Sequence, residues 1–243
     1  MTATDRAKKL TNLLAKLEAP EPAPAQADMP ENSLDDRDPV LREFLRSFLV
    51  WESTTPKAEA ALRRIDAACV DINEFRVSLV EEMVAIIGPG YARAEDRCAR
   101  LKAALNDIYR REHRVRLAHL QEKNKRDAKA YLESIAQAPG FVASRTMLLA
   151  LDGHAVPCDE RLAARLVQAD VLEPGTSAEE AAAWLERHVR SGESRSAYLA
   201  LQAWADEGST VTVKAGKPRP RRVKASPAKR TTAKPARKGP RRG

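Results

Sequence analysis

Cysteine is sparse and scattered in this chain: Cys69, Cys98 and Cys158 are the three present, with no Cys-x-x-Cys pair and no Cys/His cluster. That spacing argues against a disulfide framework and against a zinc site. Three free thiols fit a reducing, cytoplasmic setting. No apolar run reaches membrane-spanning length and the N-terminus lacks a signal-peptide core, so no membrane association is expected. Strand signals are nearly missing, with residues 211–213 the one short candidate. Acidic residues are absent from residues 214–243, where thirteen Lys and Arg fall. The formal net charge of +8 therefore divides into about −5 before Lys214 and +13 from there on. An acidic body with a basic tail points to a nucleic-acid or other acidic partner for the tail.

What is present is helical periodicity. Leu10, Leu13, Leu14 and Leu17 share one face of a short amphipathic helix within residues 1–18, which reads as a packing arm. Residues 19–40 are rich in Pro, Glu and Asp and read as a linker. Asp38 and Pro39 supply an N-cap and first helical position, and Leu41, Phe44, Leu45, Phe48 and Leu49 form a strong apolar face. Pro56 opens the next helix, with Ala58, Ala61, Leu62 and Ile65 inward. Residues 71–73 read as a turn. A short helix through Met83 and Ile87 is closed by Gly88-Pro89-Gly90, and a long one runs from Tyr91 to about Arg111. Residues 110–126 are dense in Arg, Lys and His, as a solvated face or a phosphate-contacting one. Ser177 with Glu180 forms a capping box. Tyr198, Leu199, Leu201 and Trp204 mark the last helix. The expectation is an all-α domain over residues 41–206. Residues 207–243, a Lys/Arg/Pro/Ala tail, cannot build a core and are expected to be disordered.

The most informative stretch is residues 131–159. Tyr131, Leu132, Ile135 and Ala136 fall at helical spacing, Pro139-Gly140 breaks that helix, and a second apolar helix is expected from about Ala143. The start of such a helix offers free N–H groups and the positive end of its dipole to an anion. Asp159 follows about twenty residues later. An ordinary αα-hairpin with Asp159 as an N-cap accounts for the same pattern.

These residues resemble the helix-hairpin-helix of the endonuclease III-like DNA glycosylases, whose hairpin reads Leu-Pro-Gly-Val-Gly before a Lys or Ser. Pro139 and Gly140 match the Pro-Gly, and Asp159 matches the catalytic acid of the later Val-Asp segment. Val142 stands at the second Gly, and Ser144 at the Lys of the bifunctional enzymes. Thr54 matches the Thr of the family's Leu-Ser-Gln-x-Thr-Asp, in which Glu52 replaces Gln. Ile87, Tyr91 and Ala94 match a further family segment. The resemblance spans about residues 41–205. It implies a helix-hairpin-helix glycosylase-like domain that binds double-stranded DNA through Thr54, Pro139, Gly140, Val142, Ser144 and Arg145. The tail looks like those of linker histones and nucleoid proteins, so nucleoid association through Lys217, Arg219, Arg221, Arg222, Lys229 and Arg230 is expected.

An acid beside the sugar can stabilise positive charge during N-glycosidic hydrolysis and help activate water, and Asp159 is the catalytic candidate. The lyase step of base-excision repair needs an amine. Ser144 has none, and Arg145 stays protonated. No cofactor is expected, because the four-Cys iron–sulfur motif of many family members is absent. Three readings stay open: a monofunctional glycosylase, a catalytically lapsed DNA-binding relative, and a helical protein-interaction module.

Overall fold

The computed structural model of the chain describes residues 3–17 and 38–208. The linker at 18–37, the strand candidate at 211–213 and the basic tail with Lys217, Arg219, Arg221, Arg222, Lys229 and Arg230 lie outside the described residues. Among the described residues there are eleven α-helices and no strand, and no helix is long and apolar enough to cross a membrane.

The hub is helix α2 (Pro39–Val50), in which ten of twelve residues are buried. Its apolar residues enter the core, its charged Arg42 and Glu43 are buried with ion-pair partners, and α2 packs against α3 (Thr55–Ala68) and α8 (Gly140–Ala150). Asp38 starts it as expected: one carboxylate oxygen accepts the Leu41 N–H at 2.9 Å and Pro39 occupies the first turn. The other oxygen accepts the N–H groups of Leu117 and Ala118 at 2.6 and 2.9 Å. A single side chain thus caps one helix and anchors a distant loop. Helices α4 (Ile72–Val77), α5 (Val80–Ile87), α6 (Ala94–Glu112) and α7 (Lys125–Ser134) complete the first apolar cluster around α2 and α8.

A second, smaller cluster joins α9 (Glu160–Gln168), α10 (Ala178–His188) and α11 (Ser194–Glu207). The N-terminal helix α1 (Ala3–Leu14) belongs to it. Leu10 is buried there, with Leu13, Leu14 and Leu17 packed against the cluster. The packing arm is therefore part of this second cluster.

Three local expectations need correction. Residues 71–73 are not a free turn, because the Asp71 carboxylate accepts the Glu74 N–H at 2.9 Å and nucleates α4. The second hairpin helix starts at Gly140 rather than near Ala143. Pro139, at φ −62° and ψ 147°, is its N-cap, and the Pro139 carbonyl accepts the N–H groups of Val142 and Ala143. Val142, expected in the connection between the two helices, consequently sits inside α8 with its side chain fully buried in the core.

Two of the buried cations tie helices together. The Arg97 guanidinium, on α6, has no measurable exposure and donates to the carbonyls of Phe48, Trp51 and Ala92. Phe48 and Trp51 lie at the C-terminal end of α2, where orphaned carbonyls and the negative dipole end favour a cation. On α8, Arg145 pairs with Glu43 and donates to the Tyr198 hydroxyl at 2.8 Å. At 4 % exposure its guanidinium is a core tie between α2, α8 and α11, although the resemblance placed Arg145 among the DNA-facing residues.

Candidate functional site

A cleft of about 590 Å³ is lined by side chains from both apolar clusters and the turns beside them. One wall comes from the α2–α3 turn, α7 and the start of α8. The other comes from the segment leading into α9 and from α10. Pro139, Gly140, Ser144 and Asp159 all line it, together with Glu52, so the hairpin, the acid and the turn after α2 meet at one place. A Cβ built on Gly140 would meet no atom within 4 Å, so this glycine is not required by packing.

The floor of the cleft is a reciprocal tie. Asp159 is the N-cap of α9: one of its oxygens accepts the Leu162 N–H at 2.9 Å. The other accepts the Glu52 N–H at 3.0 Å. Glu52 answers by accepting the Glu160 N–H at 2.9 Å. The geometry is that of a capping box assembled from residues more than a hundred positions apart. Glu52 holds a left-handed backbone, φ +53°, a conformation that costs a non-glycine residue free energy and concentrates at functional or over-determined sites. The Arg97 clamp secures the C-terminal end of α2, directly before this turn.

Burial pushes the carboxyls of both Glu52 and Asp159 above the usual carboxylate range. For Glu52 the Asp159 charge adds to the effect. For Asp159 the Arg161 cation and the two backbone N–H donors oppose it. Arg161 stands 3.9 Å from Asp159 and 2.9 Å from Asp206. The Cys158 thiol, also lining the cleft, is raised by burial, which keeps it an unreactive thiol.

At 2 % exposure, and with both oxygens accepting backbone N–H groups, Asp159 offers a ligand little access. Around it the cleft is acidic. Glu52, Glu133, Asp159, Glu160, Glu179 and Glu186 face Arg93 and Lys129. Such a field repels phosphate, and the bonds from Val142 and Ala143 to Pro139 further reduce the donors α8 can offer an anion. Ser144 sits within the same cleft, on the first turns of α8.

Thr54 is half-buried at the N-cap of α3 and makes no side-chain capping bond. The Asp206 carboxylate takes that role from α11, accepting the Thr55 N–H at 2.9 Å. Sequence reading did not single out Asp206 or Arg97 at all. The helical spacing of α11 and α6 is visible, but which polar residue turns inward depends on partners far along the chain. No family model matches this chain, and no curated protein sequence matches it.

Among the described residues no group of three or more His, Cys, Asp and Glu side chains is arranged to hold a metal ion.

Proposed function

We propose that this protein binds double-stranded DNA on a scaffold related to the helix-hairpin-helix DNA glycosylases, and that Asp159 serves the fold rather than glycosidic hydrolysis. The reading is supported by one convergence above all. Pro139, Gly140, Ser144, Asp159 and Glu52, separated by up to 107 positions in the chain, line a single cleft. The family resemblance rests on Pro139, Gly140 and Asp159, while Ser144 and Glu52 stand at positions of the family's motifs where this chain carries other residues.

The lapse of chemistry is supported by the tie itself. An acid that stabilises a developing oxocarbenium ion needs an oxygen that reaches the sugar, whereas Asp159 is 2 % exposed and each of its oxygens already accepts an N–H group of the protein. Ser144 supplies no amine for a Schiff base. A second reading, residual hydrolysis without lyase chemistry, draws on the upward-shifted carboxyls of Glu52 and Asp159, since perturbed acids in a cleft mark functional sites.

The test is equilibrium binding of full-length protein to undamaged and abasic duplexes across a range of salt. Binding that weakens linearly in log salt supports the reading. No binding to either duplex at low salt would refute it.

A further inference from the structure

We infer that the folded body meets the phosphate backbone of a duplex through the basic segment 113–126, away from the hairpin that carries the family resemblance. This rests on the DNA-binding reading above and relocates the contact within it.

The hairpin mouth is a poor phosphate site, with six carboxylates around the cleft against two cations. The segment between α6 and α7 has the opposite character. Arg114, Arg116, Lys123 and Arg126 are exposed, and among the described residues no ion pair engages them. Neighbouring cations are already committed: Arg111 to Asp107 and Ser134, and Lys125 to the Leu151 carbonyl.

The frame beneath these four cations is fixed. Val115, Leu117 and Leu120 point inward and are buried, so charged and apolar residues alternate along residues 114–117. The backbone N–H groups of Leu117 and Ala118 are held by Asp38. Glu112 accepts the Tyr131 hydroxyl at 2.8 Å, and Arg111 donates to the Ser134 carbonyl at 2.7 Å, which ties the end of α6 to α7. Cations on a pre-ordered backbone lose less freedom on binding than the same residues on a loose loop.

A duplex is favoured over an anionic bilayer by what the segment lacks. Its large apolar side chains are turned into the core, so none is left to enter the acyl layer. Phosphate neutralisation by point charges needs no such anchor.

The experiment compares full-length wild type with two variants by anisotropy of a labelled random-sequence duplex over a salt series. The first variant carries Arg114→Gln, Arg116→Gln, Lys123→Gln and Arg126→Gln. The second carries Gly90→Asp, before the start of α6 and so at the other end of that helix from the segment, where a side chain has open space. The expected result is a loss of about tenfold or more in affinity for the first variant at moderate salt, with its log–log slope shallower by about 2–4. Gly90→Asp should stay within about twofold of wild type, since it adds one charge outside the segment. Arg114→Lys, Arg116→Lys and Arg126→Lys together should keep the wild-type slope, which separates charge from any folding defect. If the glutamine variant matches wild type in affinity and slope while the duplex is still bound, the inference falls and the DNA-binding reading stands. If wild type ignores the duplex, both fall. Charge-dependent binding to phosphatidylserine vesicles in place of the duplex would overturn the inference in favour of a membrane.

Discussion

Glu52 and Asp159 cap the same helix from opposite directions. The Glu52 N–H lies 3.0 Å from one Asp159 oxygen, and the Glu52 carboxylate lies 2.9 Å from the Glu160 N–H. Each residue satisfies a backbone group that the other's segment would leave orphaned. Two carboxylates held this close in a partly buried place also repel one another, and the tie carries that cost at neutral pH.

The pH dependence follows from the sign of the shift. The folded-state Glu52 carboxyl lies above its ordinary value, through burial and then the Asp159 charge. Its favourable contribution to folding is therefore complete below the unfolded pKa and is lost as pH rises through the folded one. Glu52→Gln retains an oxygen to accept the Glu160 N–H and removes the charge. Its melting temperature should exceed that of wild type at pH 7, by about 2–4 °C if the gain is about 1 kcal/mol. The gap should close as pH approaches that of an ordinary carboxyl. A variant that melts lower than wild type at pH 7 would show that the charged form strengthens the tie.

The Glu43–Arg145 pair should be strongly coupled. Removing one partner leaves a buried charge alone, so Glu43→Ala should lose about 3–5 kcal/mol in urea denaturation. Replacing both, as Glu43→Leu with Arg145→Met, should recover most of that loss. Recovery absent from the double variant would mean that the bonds to Ser47 and Tyr198, and not the pair itself, hold these helices.

Much of the fold is legible from local signals. Asp38-Pro39 and the Ser177/Glu180 box each mark a helix start that the structure has, because capping is decided within four residues. The cleft is partly legible: Ser144 and Asp159 line it together. The same pattern could not reveal that Arg145 and Val142 face the core. Their direction follows from α8 starting at Gly140, and Arg145 is drawn in by Glu43, 102 positions earlier. Asp206 capping α3 and Arg97 capping α2 are equally non-local. The Pro139-Gly140 break between two apolar helices is visible in the sequence, while the field around it is set by carboxylates on α7, α9 and α10.

Lyase chemistry should be absent even when an amine is supplied. Wild type should give no borohydride-trapped adduct with abasic DNA. Ser144→Lys should give none either, because the surrounding carboxylates hold an ammonium in its protonated, non-nucleophilic form. A trapped adduct with Ser144→Lys would show that the cleft still admits and orients an abasic sugar.

The tail should supply much of the non-specific affinity. Deleting residues 214–243 removes thirteen cations, and the salt slope should flatten by about 0.9 for each phosphate that is no longer neutralised. Identical slopes with and without the tail would remove it from the binding account.

The most direct measurement of the central claim is turnover by purified full-length protein on a panel of damaged and abasic duplexes, beside Asp159→Asn. Duplex binding with no base release and no strand cleavage is expected, and the same binding by Asp159→Asn. Base release from any duplex in the panel that Asp159→Asn abolishes, with its binding intact, would contradict it and make Asp159 a working catalytic acid.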